Sequence, residues 1–216
     1  MKQFGAFGRV RGLLFDIDGT LYDNAAYINS HNRSLVRRLA SELGRSFEDT
    51  QQAVAEARDR LTGESGRAPS LANTFAEFGV EIETSAAWRS ALLEPECYLS
   101  PDERLRETLG TLRRRYKLAA LTNNPADIAE RTLRCLGVAE HFGVTVALDD
   151  TFVSKPDLAP FRAALTSLRL APTEVVMIGD RYDVDIAPAL DLGMAGILVE
   201  GVAEVYELPE LLGPSE

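Results

Sequence analysis

Four short apolar runs in this chain end abruptly on a residue that can do chemistry. Asp16 follows Gly12–Phe15, Thr122 and Asn123 follow Lys117–Leu121, Asp149 and Asp150 follow 144–148, and Asp180 follows 175–178 after one glycine. A fifth run covers 195–199. Runs this short and this apolar read as strands buried on both faces. Helix-length amphipathic stretches at 101–115, 126–136, 156–168 and 185–192 lie between most of them. Ser100 and Pro101 are the expected cap and first position of the first of these helices, and Gly137 and Gly193 the expected stops of two others. Strand–helix alternation predicts an α/β fold, a Rossmann-like three-layer core with a parallel sheet covered by helices on both faces. In such a sheet ligands bind in a crevice at the carboxyl ends of the strands. Asp16, Thr122, Asn123 and Asp180, far apart in the chain, therefore meet there, together with Lys155.

One interval breaks the rhythm. Between about 24 and 96 there is no strand run; 24–43, 48–61, 70–78 and 84–93 read as helices, with Gly63, Gly66 and Pro69 marking a loop. So long a helical block between the first and second strands is an insertion rather than a crossover. The expected division is a core of 1–23 and 97–216 and an all-helical module of 24–96. The last ten residues read as a short helix and a loose tail.

Composition narrows the partners. With 23 Lys and Arg against 33 Asp and Glu, the chain carries a net charge of −10. That argues against nucleic acid, whose phosphate backbone calls for clustered cations. A small phosphorylated ligand needs only a few local ones. No apolar run approaches the ~20 residues of a membrane helix. Cys97 and Cys135 form no paired motif and read as free thiols. The expectation is a soluble, cytoplasmic protein without a membrane partner; its oligomeric state leaves no mark in the sequence.

Carboxylates crowded into one crevice repel each other unless a cation neutralises them. Mg²⁺ suits the task, since it takes one or two carboxylates together with water and substrate phosphate; Asp16 and Asp180 are its natural ligands. In Asp16-Ile17-Asp18-Gly19-Thr20 the two acids sit at i and i+2, so in extended backbone both face the same substrate. One can attack as a nucleophile while the other transfers a proton. Gly19 lets the chain turn and backbone N–H groups approach an anion. Thr122 offers a hydroxyl, Asn123 a backbone N–H, and Lys155 a point charge for phosphoryl oxygens.

These segments resemble the four motifs of the haloacid dehalogenase-like hydrolase superfamily. Leu14-Phe15-Asp16-Ile17-Asp18-Gly19-Thr20-Leu21 is similar to the first, Leu121-Thr122-Asn123 to the second, Lys155-Pro156 to the third, and Gly179-Asp180-Arg181-Tyr182-Asp183-Val184-Asp185 to the fourth. The resemblance runs from about 13 to 193. It implies that the first strand is central and that the insertion is a helical cap. It further implies that Asp16 is the nucleophile, forming an aspartyl-phosphate, and that Asp18 protonates the leaving oxygen, activates water and lends its backbone carbonyl to Mg²⁺. Gly19, Thr20, Thr122 and Asn123 would contact substrate. Thr122 and Lys155 would hold phosphoryl oxygens, and Asp180 would ligate the metal. Asp185 would orient a water or Lys155, although motif spacing leaves Asp183 as an alternative. Asp149 and Asp150 are read as opening a loop, since the corresponding strand of the family usually supplies no ligand.

The function so implied is a Mg²⁺-dependent phosphatase acting on a small phosphomonoester, such as phosphoglycolate, a sugar phosphate or a nucleoside monophosphate. A dehalogenase on the same scaffold usually lacks an acid at Asp18, and a sugar-phosphate mutase usually differs at Thr20. A phospho-acceptor signalling domain is shorter and has no helical insertion, and a degenerate regulatory protein would lack a motif residue. In the insertion, Asn24, Tyr27, Ile28 and His31 share a helix face that either looks into the active site or packs within the module, the second being the reading favoured. Arg58, Arg60 and Arg67 read as a solvated face, Phe75, Phe78 and Trp88 as the module's core, and His141 as a loop residue.

If Asp18 transfers the proton, Asp18→Asn should cost about 10²–10⁴-fold on alkyl phosphates. The loss should be smaller on nitrophenyl phosphate, whose leaving group needs no proton. Rapid-quench kinetics on that ester should show a burst of phenol and then a stall; equal losses without a burst would make Asp18 structural.

Overall fold

The computed structural model describes residues 1–213; the end of the expected tail, 214–216, lies outside the described residues. Six strands, β1 (Lys2–Phe4), β2 (Gly12–Phe15), β3 (Lys117–Leu121), β4 (Val144–Val146), β5 (Val175–Gly179) and β6 (Ala195–Leu198), form one sheet in the order β1-β6-β5-β2-β3-β4. β2, the first of the apolar runs, is flanked by β3 and β5, both parallel to it. The helices are α1 (Ala25–Leu43), α2 (Phe47–Ser65), α3 (Leu71–Ala76), α4 (Ile82–Leu92), α5 (Glu103–Arg113), α6 (Ala126–Cys135), α7 (Leu148–Thr151), α8 (Leu158–Leu168), α9 (Ala187–Asp191), α10 (Val202–Val205) and α11 (Leu208–Leu211).

Side-chain alternation along the strands builds two cores. Leu13, Phe15, Leu118, Ala120, Val176 and Ile178 pack on one face, against Leu105 and Leu109 of α5 and Leu133 of α6. Leu14, Ala119, Leu121, Val175 and Met177 pack on the other, against Phe161, Ala164 and Leu168 of α8 and Ala189 of α9. With both faces covered and a strand on each side, Leu13, Leu14 and Phe15 have no exposed surface. Register then fixes the site. Phe15 lies opposite Ile178 and Ala120, so Asp16, the Gly179–Asp180 step and Thr122 emerge at one end of the sheet. The Asp16 N–H still donates to Ile178 O at 2.9 Å, and the Thr122 N–H to Val146 O at 3.0 Å, so both residues sit on the last rungs of the ladder.

Four expectations need correction. The sheet is mixed, because β1 pairs antiparallel with β6. This edge strand is three residues long, and Lys2 and Gln3 are exposed, so no apolar run marks it. The run at 144–148 divides: only Val144–Val146 is strand, and Leu148 starts α7. The cap of α5 is Asp102, whose carboxylate accepts the Leu105 N–H at 2.9 Å and the Tyr206 hydroxyl at 2.5 Å, rather than Ser100. The helix over 185–192 is also entered earlier, through a π-helical turn, Tyr182–Ile186, that runs into α9.

Helices α1–α4 occupy the stretch where no strand was expected. They pack mainly on one another around Leu35, Leu39, Val54, Phe75 and Trp88, with Ile128 of α6 completing the cluster. The Phe75 and Trp88 rings meet edge-on at 6.3 Å. Asn24, Ser46 and Ser70 cap α1, α2 and α3 through side-chain oxygens. Gly44 and Gly66 end the first two helices in the left-handed region that glycine alone adopts freely.

Leu39 is fully buried in this helical cluster. Leu39→Ala should lower unfolding stability by about 2–5 kcal/mol, read from the urea midpoint at unchanged slope.

Candidate active site

Lys155 has no exposed surface, yet it carries a charge. Its Nζ donates to Asp16 Oδ1 at 2.6 Å, to Asp185 Oδ1 at 2.7 Å and to Leu121 O at 3.0 Å, so all three of its protons are engaged. Burial works against the ammonium, but Asp16 and Asp185 outweigh it and hold its pKa above the ordinary lysine value. The residue is fixed at both ends. The Asn123 side chain accepts the Lys155 N–H at 2.8 Å and donates to the Lys155 carbonyl at 3.0 Å. The second motif therefore clamps the main chain of the third.

Asp16 and Asp180 are each left with a buried carboxylate oxygen, Oδ2 and Oδ1 respectively, that has no hydrogen-bond partner. Asp16, Asp180 and Asp185 each bring one oxygen to within 4.8 Å of the others. Burial, more than any neighbour, pushes Asp16 well above the usual carboxylate range, and it raises Asp180 as well. Arg181, drawn upward by Asp185, Asp16, Asp180 and Asp18 against the effect of burial, joins Lys155 as the second base at the cluster. The acids of the cluster, Asp16, Asp180 and Asp185, outnumber the bases Lys155 and Arg181. The orphaned oxygens, the hard donor set and this imbalance all fit a divalent cation.

Asp18 lies two residues beyond Asp16 and is separately held. The Tyr22 hydroxyl donates to its Oδ1, Thr122 Oγ1 to Oδ2 at 3.3 Å, and Asn124 Nδ2 to both oxygens at 3.2 and 2.9 Å. Thr122 also accepts the Asn124 N–H at 3.1 Å. Gly19 makes the turn at φ 83°, and a Cβ there would stand 2.5 Å from Asp180 Oδ2. Only glycine fits between the first motif and the fourth. Thr20 is enclosed, its hydroxyl unpartnered.

The sequence-predicted residues thus divide. Asp16, Asp180, Asp185 and Lys155 form one cluster, with Asp18 and Thr122 beside it and Asn123 behind Lys155. Of the two acids left open, Asp185 is the buried one on Lys155, while Asp183 is only half-buried. Asp149 and Asp150 are engaged elsewhere, accepting the Ala126 and Ala147 N–H groups at 2.9 and 2.7 Å. Arg60 pairs with Glu77 and Arg67 with Asp191 at the surface. The α1 face bearing Tyr27 and His31 is turned toward this site rather than wholly into its own module: the Tyr27 ring lies 5.6 Å from that of Tyr22, and the Asp18 charge acts on His31. Sequence reasoning missed Tyr22, Asn124, Arg181 and Arg89. For Arg89 a signal existed, since it falls in register with Ser85, Ala86 and Trp88 on the buried face of α4, where a charge is out of place.

Acids at the ends of a parallel sheet, bridged by an enclosed lysine, form a crevice whose donor set suits a cation. The family model of haloacid dehalogenase-like hydrolase matches residues 10–193, and the chain belongs to that family. It is 31% identical over 81% of its length to a pyrophosphatase PpaX of Bacillus velezensis, covering 76% of that protein. It is 27% identical over 87% of its length to a phosphoglycolate phosphatase of Pectobacterium atrosepticum, covering 80% of it. Among solved structures, a HAD phosphatase of Thermococcus onnurineus superposes with a TM-score of 0.63 at 25% identity, over 94% of this chain and 98% of that one. No helix among the described residues is long and apolar enough to cross a membrane.

Removing the buried cation should expose what it balances. Lys155→Met leaves Asp16 and Asp185 facing each other and should destabilise the fold by about 3–5 kcal/mol in thermal or urea unfolding. Adding Asp185→Asn to the same chain should recover part of that loss; no recovery would show that Lys155 acts through packing rather than charge.

Proposed function

We propose that this hydrolase is a Mg²⁺-dependent phosphatase that cleaves a small phosphomonoester through an aspartyl-phosphate on Asp16, with helices α1–α4 as a cap over the crevice. The observation that carries this reading is the pairing of two differently dressed carboxylates. Asp16 has one oxygen tied to Lys155 and the other, Oδ2, bare. Asp18 is held by two hydroxyls and an amide.

The roles follow from that dressing. Lys155 holds the Asp16 carboxylate through Oδ1 and so orients it for attack on phosphorus. As the bond from Asp16 to phosphorus forms, the ester P–O bond breaks, and Asp18 delivers a proton to the leaving oxygen. Asp18 then takes a proton from water, whose oxygen bonds to phosphorus as the aspartyl bond breaks and inorganic phosphate leaves. The Tyr22 and Thr122 hydroxyls can donate to Asp18 as a carboxylate and accept from it as an acid, so both protonation states keep partners. Asp16, Asp180 and the Asp18 backbone carbonyl would hold Mg²⁺, which supplies neutralisation of the phosphoryl oxygens. Asp185 keeps Lys155 in place from the other side. A dehalogenation needs no proton donor, and a carboxylate so restrained two residues from the nucleophile favours ester cleavage.

Asp16→Asn should lower phosphate release by at least about 10³-fold while the fold persists. Activity should disappear in excess chelator and return with Mg²⁺. Turnover near wild type in either experiment would overturn this reading.

A further inference from the structure

At the end of the sheet opposite the catalytic crevice, where β3 and β4 begin, lies a cavity of about 350 Å³. Its apolar lining is sunk into the protein: Leu118 and Leu168 are buried and Val144 is half-buried. Its basic lining is at the mouth, where Arg113 and Lys117 are exposed beside the Ser167 hydroxyl. The sequence marks the same place, since 113–117 puts four bases in five residues of a chain whose net charge is −10. Arg113 makes no ion pair among the described residues. Lys117 Nζ gives one proton to the Leu168 carbonyl at 2.7 Å and keeps two. Both ring nitrogens of His141 are buried without a hydrogen-bond partner, although Glu140 Oε1 stands 3.9 Å from Nε2. Burial, opposed by Glu140 and aided by Arg113 and Arg106, keeps this ring below the ordinary histidine value. Its neutral form offers one donor and one acceptor. Two helices end here, α5 at Arg113 and α8 at Leu168, and such ends disfavour anions. Most of their last carbonyls are taken: Thr111 O and Leu112 O accept from Arg114, Arg115 and Tyr116, and Leu165 O and Thr166 O from Leu170 and Arg169. Each end carries about half a negative charge, which Arg113 and Lys117 outweigh. Glu140 is largely exposed and is outnumbered once Arg114 and Arg169, both exposed and adjoining the mouth in the chain, are added.

We propose that this cavity is a second binding site, separate from the catalytic crevice, for a small organic anion: a carboxylate or phosphate carried on a compact apolar body. The charged group meets Arg113 and Lys117 at the mouth, and the body lies against Leu118, Val144 and Leu168 within. A guanidinium and an ammonium suit either oxygen group. The volume is at the low end of small-molecule sites, about 300–1,000 Å³, so the body is a single ring or a short chain. β3 itself separates the two sites. Lys117 opens that strand, and Leu121, whose carbonyl holds Lys155, closes it about 13 Å away. The site does not depend on what the crevice hydrolyses.

The chain has two histidines, His31 and His141, so the His141 ring is a local reporter that NMR reads in the intact protein. Its signal is identified by its loss in His141→Gln. Four probes are titrated: benzoate and phenylphosphonate as anions with a body, benzamide as the body without charge, and acetate as the charge without a body. At least one aromatic anion should move the His141 signal to saturation. It should bind about tenfold or more tighter than benzamide and than acetate, the effect of a charge-assisted hydrogen bond and of a buried ring respectively. The tighter of the two anions identifies the group as carboxylate or phosphate. Arg113→Gln, at an exposed position, should keep the wild-type unfolding midpoint and weaken that binding by about tenfold, and Lys117→Gln should weaken it likewise. Benzamide binding as well as the anions would make the cavity merely apolar and overturn the proposal. So would acetate binding as well as the aromatic anions, a response seen only at His31, no saturable shift from either aromatic anion, or a shift that both variants leave untouched.

Discussion

Everything at this site depends on one enclosed ammonium. Lys155 lies at the meeting point of three strand ends, bonded to Asp16 after β2, to the Leu121 carbonyl closing β3 and to Asp185 beyond β5. An isolated charge in that position would be untenable, and so would two facing carboxylates; together they are mutually necessary. The arrangement is nonetheless short of positive charge, which is why two carboxylate oxygens remain unbonded inside the protein. A structural ion pair would have no such remainder. The surplus of acid fits a divalent cation at the cluster.

The precision of the cluster comes from the main chain. Asp16 and Thr122 still donate to neighbouring strands, so their positions are set by rungs of the sheet rather than by loops. Asp18, beyond the ladder, depends on side chains, and the structure gives it three donors. Asn123 and Asn124, adjacent in sequence, divide the work: one holds the backbone of Lys155, the other the carboxylate of Asp18.

This explains what was legible in the sequence. An acid directly after an apolar run announces both its strand and its place, so Asp16 and Asp180 stand out in the sequence alone, while the resemblance brought in Lys155 and left Asp185 open against Asp183. The central position of β2 was legible only through resemblance. Tyr22 and Asn124 were not legible, because their roles depend on which way a turn sends a side chain, and no periodicity encodes that. Arg89 was hidden differently. A lone arginine on an amphipathic helix ordinarily lies on the wet face, and only packing of α4 against its neighbours shows that this one is on the dry face. β1 escaped because an edge strand with exposed side chains lacks the apolar signature on which strand reading relies.

β2 and β3 are hydrogen-bonded neighbours, with Gly12 paired to Lys117, although five helices, α1–α5, separate them in the chain. The insertion is closed at its base, where Asn24 at its start donates from Nδ2 to the Tyr98 carbonyl just past its end at 2.9 Å. An excursion closed at its base in this way can be lengthened, shortened or rewritten without shifting a single rung beneath it.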